Sequence, residues 1–345
     1  MKKVPMKRSN TIYVHIGVHK TGTSSIQSTL HCSANHAQLK KNGILILSSL
    51  PANHSEFIQS AFSDRPELYH TNLSKNLSLI EVTKYANHQK QQIVDHVDGH
   101  TNSTFIFSGE DACILSLDGF IRLRNFIYEA FGNDALINII CYTRNPFSYV
   151  ESAVQENVKG NRMTIAEAAS WHIAESKCKY INIYEKLANA FGKNAINFYS
   201  FENCLSNETG VVGSFLSTLG ISSDGLHILN SNEGITSDSV KLISIANSAG
   251  INITHTDIRI MSSIKGKKGG FLTTEDINKI QINSSSDRLF LKETFGIEYQ
   301  DIEIISNNKI DINPTNDFLK CISAQGDDIT KELMELVNNL IKKSD

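Results

Sequence analysis

Thr11 to Leu30, TIYVHIGVHKTGTSSIQSTL, constrains the fold of this chain more than any other stretch. Its first six residues, Thr11 to Ile16, are β-branched or aromatic enough to form a short buried strand. A tight turn follows, Gly17-Val18-His19-Lys20-Thr21-Gly22. Ile26 and Leu30, four residues apart, then give the next segment the apolar stripe of a helix. A strand, a glycine-bearing loop and a helix in this order aim backbone N–H groups and the positive helix end at an anion, most often a phosphate. Lys20 adds a full charge inside the loop. Thr21, Thr23, Ser24 and Ser25 add short hydroxyl donors.

The nucleoside-triphosphate form of such a loop reads G-x-x-x-x-G-K-[ST]. Gly17 and Gly22 have that spacing and Ser24 fits the last place, but Thr23 occupies the lysine slot and the lysine has moved back to Lys20. A Walker lysine follows the second glycine and reaches the terminal phosphates of a magnesium-bound nucleotide. A charge placed before that glycine argues for a different phosphate-bearing donor and against an ordinary kinase or ATPase.

The stretch His19 to Gln27, HKTGTSSIQ, resembles the phosphosulfate-binding loop of sulfotransferases that use 3′-phosphoadenosine 5′-phosphosulfate (PAPS), most closely the bacterial branch that sulfates glycans. A second segment fits the same family. Arg144 closes an apolar strand, and Ser152 follows eight residues later, two turns into the next helix. An arginine fork and a hydroxyl so placed can grip one phosphate; taken alone, the pair could equally be a surface ion pair and a solvated serine. It resembles the family's 3′-phosphate-binding segment. The third segment, Ile264 to Phe271, IKGKKGGF, is cationic and glycine-rich, so its backbone can approach a phosphate closely. A solvated surface loop would have the same composition. It resembles the late element that closes over the nucleotide in glycan sulfotransferases, which makes Lys265, Gly266 and Lys267 expected cofactor contacts. Asn197 to Glu202 and Ser284 to Phe295 also resemble family segments, so the likeness runs from about Thr11 to Gly296.

Sulfuryl transfer requires an in-line donor, stabilisation of the charge growing on the leaving phosphate, and removal of the acceptor's proton. Lys20, with Thr21, Gly22, Thr23, Ser24 and Ser25, suits the second task; Arg144 and Ser152 suit the first. Glu110 is the expected base. It follows a strand, in Ser108-Gly109-Glu110, which puts it at the sheet edge shared with Lys20 and Arg144, and a Ser-x-Glu there resembles glycan-sulfating members. A helix-start carboxylate is the plainer reading of Glu110, and Asp111 competes with it for the role. His15 reads as a packed strand residue and His19 as a loop-shaping one. The implied chemistry needs no metal, and His96 and His100, four apart, lack an evident third ligand.

The remaining elements follow from periodicity. Strands are expected at Gly43–Leu47, Thr104–Ser108, Ala135–Tyr142 (the most apolar, hence central) and Ala195–Tyr199. Helices are expected over Asp118–Phe131, from Asn145-Pro146 onward, at Thr164–Glu175 and at Tyr180–Phe191. Short helices and loops are expected beyond Glu202, and a last amphipathic helix at Asp328–Lys343. The fold class expected is α/β: a P-loop-type parallel sheet flanked by helices, with a mostly helical C-terminal part. Residues 1–10 read as a disordered tail, 11–300 as the sulfotransferase domain and 301–345 as an extension. The polar, histidine-rich stretch 51–102 reads as an insertion that could hold acceptor-binding parts.

A net charge of −3 supplies no basic field for nucleic acid. Six cysteines without a C-x-x-C pair read as buried free thiols, as in a reducing compartment. No apolar run is long enough for a signal or membrane span, which predicts a cytoplasmic, bacterial protein. The resemblance implies a carbohydrate or glycolipid acceptor, the latter reached from the periphery of the inner membrane. A P-loop kinase or NTPase is the rival enzyme, and a catalytically inactive nucleotide-fold protein that binds glycans is the rival of another class.

Overall fold

Five segments rich in β-branched and aromatic residues form strands in the computed structural model: β1 (Thr11–Gly17), β2 (Ile44–Leu45), β3 (Thr104–Ser108), β4 (Leu136–Thr143) and β5 (Ile196–Ser200). They pair in the order β2-β3-β1-β4-β5, every neighbouring pair parallel. Parallel pairing needs crossovers, and the helices between strands supply them. The description covers residues 9–160, 163–176, 179–230, 234–248, 250 and 253–300. The expected tail at 1–10 lies mostly outside it, and the expected 301–345 extension, with its helix at Asp328–Lys343, lies wholly outside it.

The first crossover is α1 (Thr23–His31) and α2 (Ser33–Lys41). Gly43, at φ 77°, stops α2 as the Lys40-Lys41-Asn42-Gly43 ending predicts. The next, longer connection holds α3 (Ser55–Phe62), α4 (His70–Ser74) and α5 (Leu79–Val97). Ser78 and Glu81 start α5 with a reciprocal capping box. Then come α6 (Leu117–Phe131), α7 (Pro146–Gly160), α8 (Ile165–Glu175), α9 (Lys179–Phe191), α10 (Phe201–Cys204), α11 (Gly210–Thr218), α12 (Ser237–Ser248), α13 (His255–Ser262) and α14 (Thr274–Phe295).

Three expectations need correction. β2 keeps two residues of the expected five, because the backbone turns at once, with Ser48 N–H donating to the Ile46 carbonyl at 2.8 Å. The apolar run at Ala135–Tyr142 is interior but not central. β1 holds the middle, and the early part of β4 is open, Leu136 being 59% exposed. The last described helix is 22 residues long rather than short, and its apolar face is confined to scattered positions such as Ile280 and Leu291.

The described residues divide into two compact units. One lies within Met1–Arg144, Tyr180–Asn232 and Phe290–Ile297 and contains the sheet. One face of its core is built from Ile26, Leu30, Ile140, Tyr142, Phe215 and Leu216. An aromatic cluster of Tyr184, Phe198, Phe290 and Phe295 fastens the end of α14 to it, with Phe198 and Phe295 stacked at 4.8 Å. The other unit lies within Asn145–Lys179, Glu233–Leu289 and Glu298–Asp345, and its described part is helical. There α7, α8 and α12 pack together. Asn247 reaches the carbonyls of Val158 and Met163 at 2.9 Å each, and Ser244 accepts from Ile165 N–H.

The strand order creates a switch point. From β1 the chain leads to β2 and β3 on one side of the sheet, while from β4 it leads to β5 on the other. The carboxyl ends of β1 and β4 therefore border the crevice where open α/β sheets bind ligands.

Candidate functional site

The loop after β1 is built for close approach. Lys20 has φ 69° and Gly22 φ 76°, two left-handed residues one apart, which fold the chain back into α1. A methyl at Gly22 would meet Val211 Cγ1 at 2.6 Å, and one at Gly17 would meet Thr23 Oγ1 at 2.1 Å. Both positions therefore need glycine on steric grounds. Thr21 Oγ1 donates to the Val18 carbonyl at 2.6 Å and closes the turn from within. The Thr23 hydroxyl is buried beneath Gly17 with no hydrogen-bond partner. Ser24 is partly exposed in the first turn of α1, and Ser25 is buried, its N–H donating to the Gly22 carbonyl at 3.0 Å. That first turn carries no acidic residue and Gly22 offers no capping side chain, so nothing of the helix's own neutralises its positive end.

Arg144, one residue past β4, meets this loop directly: its Nη1 donates to the Lys20 carbonyl. The guanidinium lies 5.1 Å from the centre of the Phe201 ring, and the Arg144 N–H donates to the Tyr180 hydroxyl at 2.9 Å. The arginine is thus held over the crevice from three elements. One of its five donors serves the loop.

A third group approaches from β3, where Glu110 and Asp111 open a short 3-10 turn, Glu110–Ile114. His19 lies between them, with Nε2 at 3.0 Å from Asp111 Oδ1 and Nδ1 at 3.7 Å from Glu110 Oε2. The side chains of His19, Glu110 and Asp111 are 41%, 26% and 12% exposed, so the histidine faces outward and the aspartate inward. Tyr69 donates to Asp111 Oδ2 at 2.6 Å, and His70 Nε2 lies 3.6 Å from the same oxygen. Gln59 Nε2 donates to the Asp111 carbonyl at 2.6 Å, and the Asp111 N–H to Ser55 Oγ at 3.2 Å. Burial works to raise the Asp111 pKa. The hydrogen bonds of His19 and Tyr69 and the charges of His19 and His70 outweigh it and hold the carboxyl below its ordinary value. Burial, then the bond to Asp111, pushes the Tyr69 phenol up.

Ser108, the last residue of β3, ties this region to its surroundings. Its N–H donates to His54 Nδ1 at 3.1 Å and its carbonyl accepts from His54 N–H at 2.8 Å, so His54 continues the sheet edge that β2 leaves short. The same carbonyl accepts from Gln27 of α1 at 3.2 Å, and the hydroxyl lies 2.9 Å from His15 Nδ1.

The remaining expected residues belong to the helical unit. Ser152 sits on α7 beside Glu151, whose Oε1 accepts from the N–H of Gly270. Lys265, Gly266 and Lys267 form an exposed loop held at both ends, by buried Ile264 on one side and buried Phe271 and Leu272 on the other. Thr236 Oγ1 donates to the Ile264 carbonyl at 3.0 Å and Ser237 N–H to the Lys267 carbonyl at 2.8 Å. Within this unit, then, the helix carrying Ser152 and the cationic loop are neighbours. In the sheet unit, the residues of the Lys20 loop, Arg144 and Glu110 are neighbours.

Sequence reasoning missed Tyr69, His54, Phe201 and Glu151. The first two lie in 51–102, which offers no motif, and only their contacts with β3 and the turn after it reveal them. Among the described residues no group of three or more His, Cys, Asp or Glu could hold a metal ion. Nor is any helix among them long and apolar enough to cross a membrane. Cys113, Cys141 and Cys204 are buried free thiols and Cys32 is a partly exposed one; Cys178 and Cys321 lie outside the described residues.

No family model and no curated protein matches the chain. Solved structures similar to it are sulfotransferases. One is the sulfotransferase from Alicyclobacillus acidocaldarius, at 14% identity and a TM-score of 0.44, covering 83% of this chain and 96% of that one. Another is the sulfotransferase domain from the curacin biosynthetic pathway, at 12% identity and a TM-score of 0.38, covering 81% and 98%. A third is the sulfotransferase domain from the Synechococcus PCC 7002 olefin synthase, at 14% identity and a TM-score of 0.30, covering 81% and 97%.

Proposed function

We propose that this chain is a PAPS-dependent sulfotransferase that moves a sulfuryl group to a hydroxyl of a glycan or glycolipid, releasing adenosine 3′,5′-bisphosphate. The observation that carries the reading is the meeting of Arg144 with the Lys20 loop at the switch point, on adjacent strands β4 and β1. The Arg144 guanidinium meets the backbone of the lysine-bearing loop there, beside an uncapped helix start, which suits an anionic donor. Lys20 stabilises the charge growing on the leaving 5′-phosphate, helped by the N–H groups and hydroxyls of Gly22 to Ser25. Arg144 and Ser152 hold the 3′-phosphate, and Lys265, Gly266 and Lys267 contact the nucleotide. Glu110 takes the acceptor's proton. As the acceptor oxygen bonds to sulfur, the bond from sulfur to the phosphate oxygen breaks and its electron pair leaves with the nucleotide.

The glycan class of acceptor rests on the resemblance of the loop, the Ser108-Gly109-Glu110 turn and the glycine-lysine segment to glycan sulfotransferases. The donor is tested by calorimetry with adenosine 3′,5′-bisphosphate against ATP and magnesium. Binding of the bisphosphate alone, with no competition from ATP, is expected; preference for ATP and magnesium would establish a kinase or NTPase instead. The acceptor is tested by incubating the protein with ³⁵S-labelled PAPS and a cell-envelope extract. Label is expected in polysaccharide or glycolipid, whereas binding without transfer would mean an inactive nucleotide-fold protein.

A further inference from the structure

Ten large apolar side chains are exposed among the described residues, and five of them lie on two segments that meet at Asp111. Leu68, Leu73, Leu79 and Ile80 belong to the stretch that runs through α4 into the first turn of α5, and Ile80 is 81% exposed. Ile114, 61% exposed, ends the 3-10 turn that Glu110 opens. The Tyr69 hydroxyl, donating to Asp111 Oδ2 at 2.6 Å, ties the two segments together within the sheet unit. The backbone that carries these side chains is fastened. Asn72 is fully buried and its Nδ2 donates to Ser60 Oγ of α3 at 3.0 Å and to the Pro66 carbonyl at 2.8 Å. Leu77 N–H donates to the Asn72 carbonyl at 3.0 Å, and the Ser78–Glu81 box fixes the start of α5. The acids of the stretch are engaged: Glu56 pairs with Lys75, Glu67 with Arg65, and Glu81 accepts from Ser78 at the helix end, whose dipole offsets its charge. Lys84, also exposed, stands one turn beyond Ile80 on the same face of α5. Protein-binding patches draw on Trp, Tyr and Arg, with Leu under-represented. The five exposed groups here are all Leu or Ile, and aliphatic groups edged by lysine suit acyl chains beneath anionic headgroups.

We propose that this face rests on an anionic membrane surface and that the acceptor is a lipid-linked glycan, presented there to Glu110. The inference rests on the sulfotransferase reading above and narrows its acceptor from glycans in general to those carried on a lipid. A lipid-linked sugar is confined to the membrane plane. An enzyme seated on that plane meets it at a surface concentration far above its concentration in bulk, which raises effective affinity without any new contact to the sugar. Glu110 and the exposed aliphatic groups then divide the work. Glu110 takes the proton of the acceptor hydroxyl, and Leu68, Leu73, Leu79, Ile80 and Ile114 hold the chain against the lipid in which that acceptor is anchored. A glycan released from its lipid gains nothing from this face.

Two measurements on the full-length chain test this. In flotation with vesicles of phosphatidylethanolamine and phosphatidylglycerol, the unaltered protein is expected to rise with the lipid. Leu73→Ser/Leu79→Ser/Ile80→Ser should weaken that binding at least about 10-fold. All three side chains are more than half exposed, so its urea midpoint and its affinity for adenosine 3′,5′-bisphosphate should stay those of the unaltered chain. In the second measurement, ³⁵S-PAPS is supplied with envelope membrane vesicles or with the same glycans cleaved from lipid by mild acid. Label should enter the lipid-bound glycan preferentially, and the triple variant should raise KM for the vesicles about 10-fold with kcat within about twofold. No flotation of the unaltered protein, unchanged flotation of the triple variant, or equal labelling of lipid-free glycan overturns the inference while sulfate transfer itself stands. A self-associating protein that does not float, and that the triple variant turns monomeric, would give the face to a second copy and overturns it too. An unaltered protein that transfers no sulfate from PAPS to either preparation overturns the sulfotransferase reading, and the acceptor assignment with it. Should the triple variant fail to fold, Ile80→Glu, an acid in the first turn of α5 where the helix end favours one, decides by the same flotation.

Discussion

Lys20 adopts a left-handed backbone, which costs a side-chain-bearing residue about 1 to 2 kcal/mol relative to the usual helical region. Such strain persists where surrounding contacts over-determine it. Here Arg144 grips the Lys20 carbonyl, and Thr21 closes the turn through the Val18 carbonyl. Glycine would adopt this conformation without strain, so on the proposed reading the ammonium is what the strained position supplies. Lys20→Gly separates the two effects. Relief of the strain roughly offsets the extra chain entropy of glycine, so unfolding free energy should move by less than about 1 kcal/mol. Turnover should fall about 10²- to 10³-fold, as when one preorganised donor to a developing charge is lost. Affinity for adenosine 3′,5′-bisphosphate should fall far less, because the charge Lys20 meets is largest in the transition state. Equal losses in affinity and turnover would make Lys20 a ground-state contact only.

At the scale of elements, most of the sheet was legible in advance. β1, β3, β4 and β5 sit within a residue or two of the apolar runs that announce them, Asn145-Pro146 starts α7 as its capping chemistry predicts, and α8 begins where the helical segment at Thr164 was expected. β2 was over-read because an apolar run does not reveal where the backbone turns. The candidate site was legible in its charged residues, since Lys20, Arg144 and Glu110 all follow strands. The residues that orient them were not, because Tyr69 reaches Asp111 across 42 positions of sequence and carries no local signal. The cationic loop is a similar case. Its lysines and glycines are plain in the sequence, but its anchor, Glu151, lies 119 positions away on α7. Glu151 holds the backbone of this loop by accepting the Gly270 N–H. Gly269, at φ 74°, would be strained with any other residue, and its Cβ would push against Glu151 Oε2 at 2.7 Å. Glu151→Ala should therefore loosen the loop at a cost to overall stability of only about 1 kcal/mol. Tryptic cleavage after Lys265, Lys267 and Lys268 should quicken and nucleotide affinity should fall. Unchanged cleavage would show that the buried Ile264, Phe271 and Leu272 hold the loop by themselves.

For the whole molecule, the buried histidines predict how folding depends on pH. His15 is fully buried against Tyr142 and Phe215 with Nδ1 at the Ser108 hydroxyl, and burial lowers its pKa to about 3. In His54, Nδ1 already accepts the Ser108 N–H, so its hydrogen sits on Nε2, and a second proton would break that bond as well as bury a charge. Burial, then the nearby His31, lowers the His54 pKa to about 3. Unfolded, both would titrate near 6.5. The unfolded chain therefore binds more protons than the folded one between about pH 6.5 and 3, and stability must rise with pH through that window. The contribution is fully present above the unfolded value and is lost as the pH falls. From about pH 7.5 to 5 the loss should be about 2 kcal/mol for each histidine. His31 and His96, also lowered by burial first, act in the same direction but are partly exposed and weigh less. Asp111, whose carboxyl is held down, begins to lose its contribution only as the pH falls through the ordinary carboxylate range, so it does not enter the comparison of pH 7.5 with pH 5. Urea unfolding at the two pH values should show the drop in the unaltered chain. In His15→Asn/His54→Asn, where an amide oxygen can stand in for Nδ1, the pH difference should shrink by about 4 kcal/mol. A slope that survives both substitutions would place the protons elsewhere. These two histidines tie β1 and the 51–102 segment to Ser108, two residues before Glu110, so the site's frame should slacken over the same window.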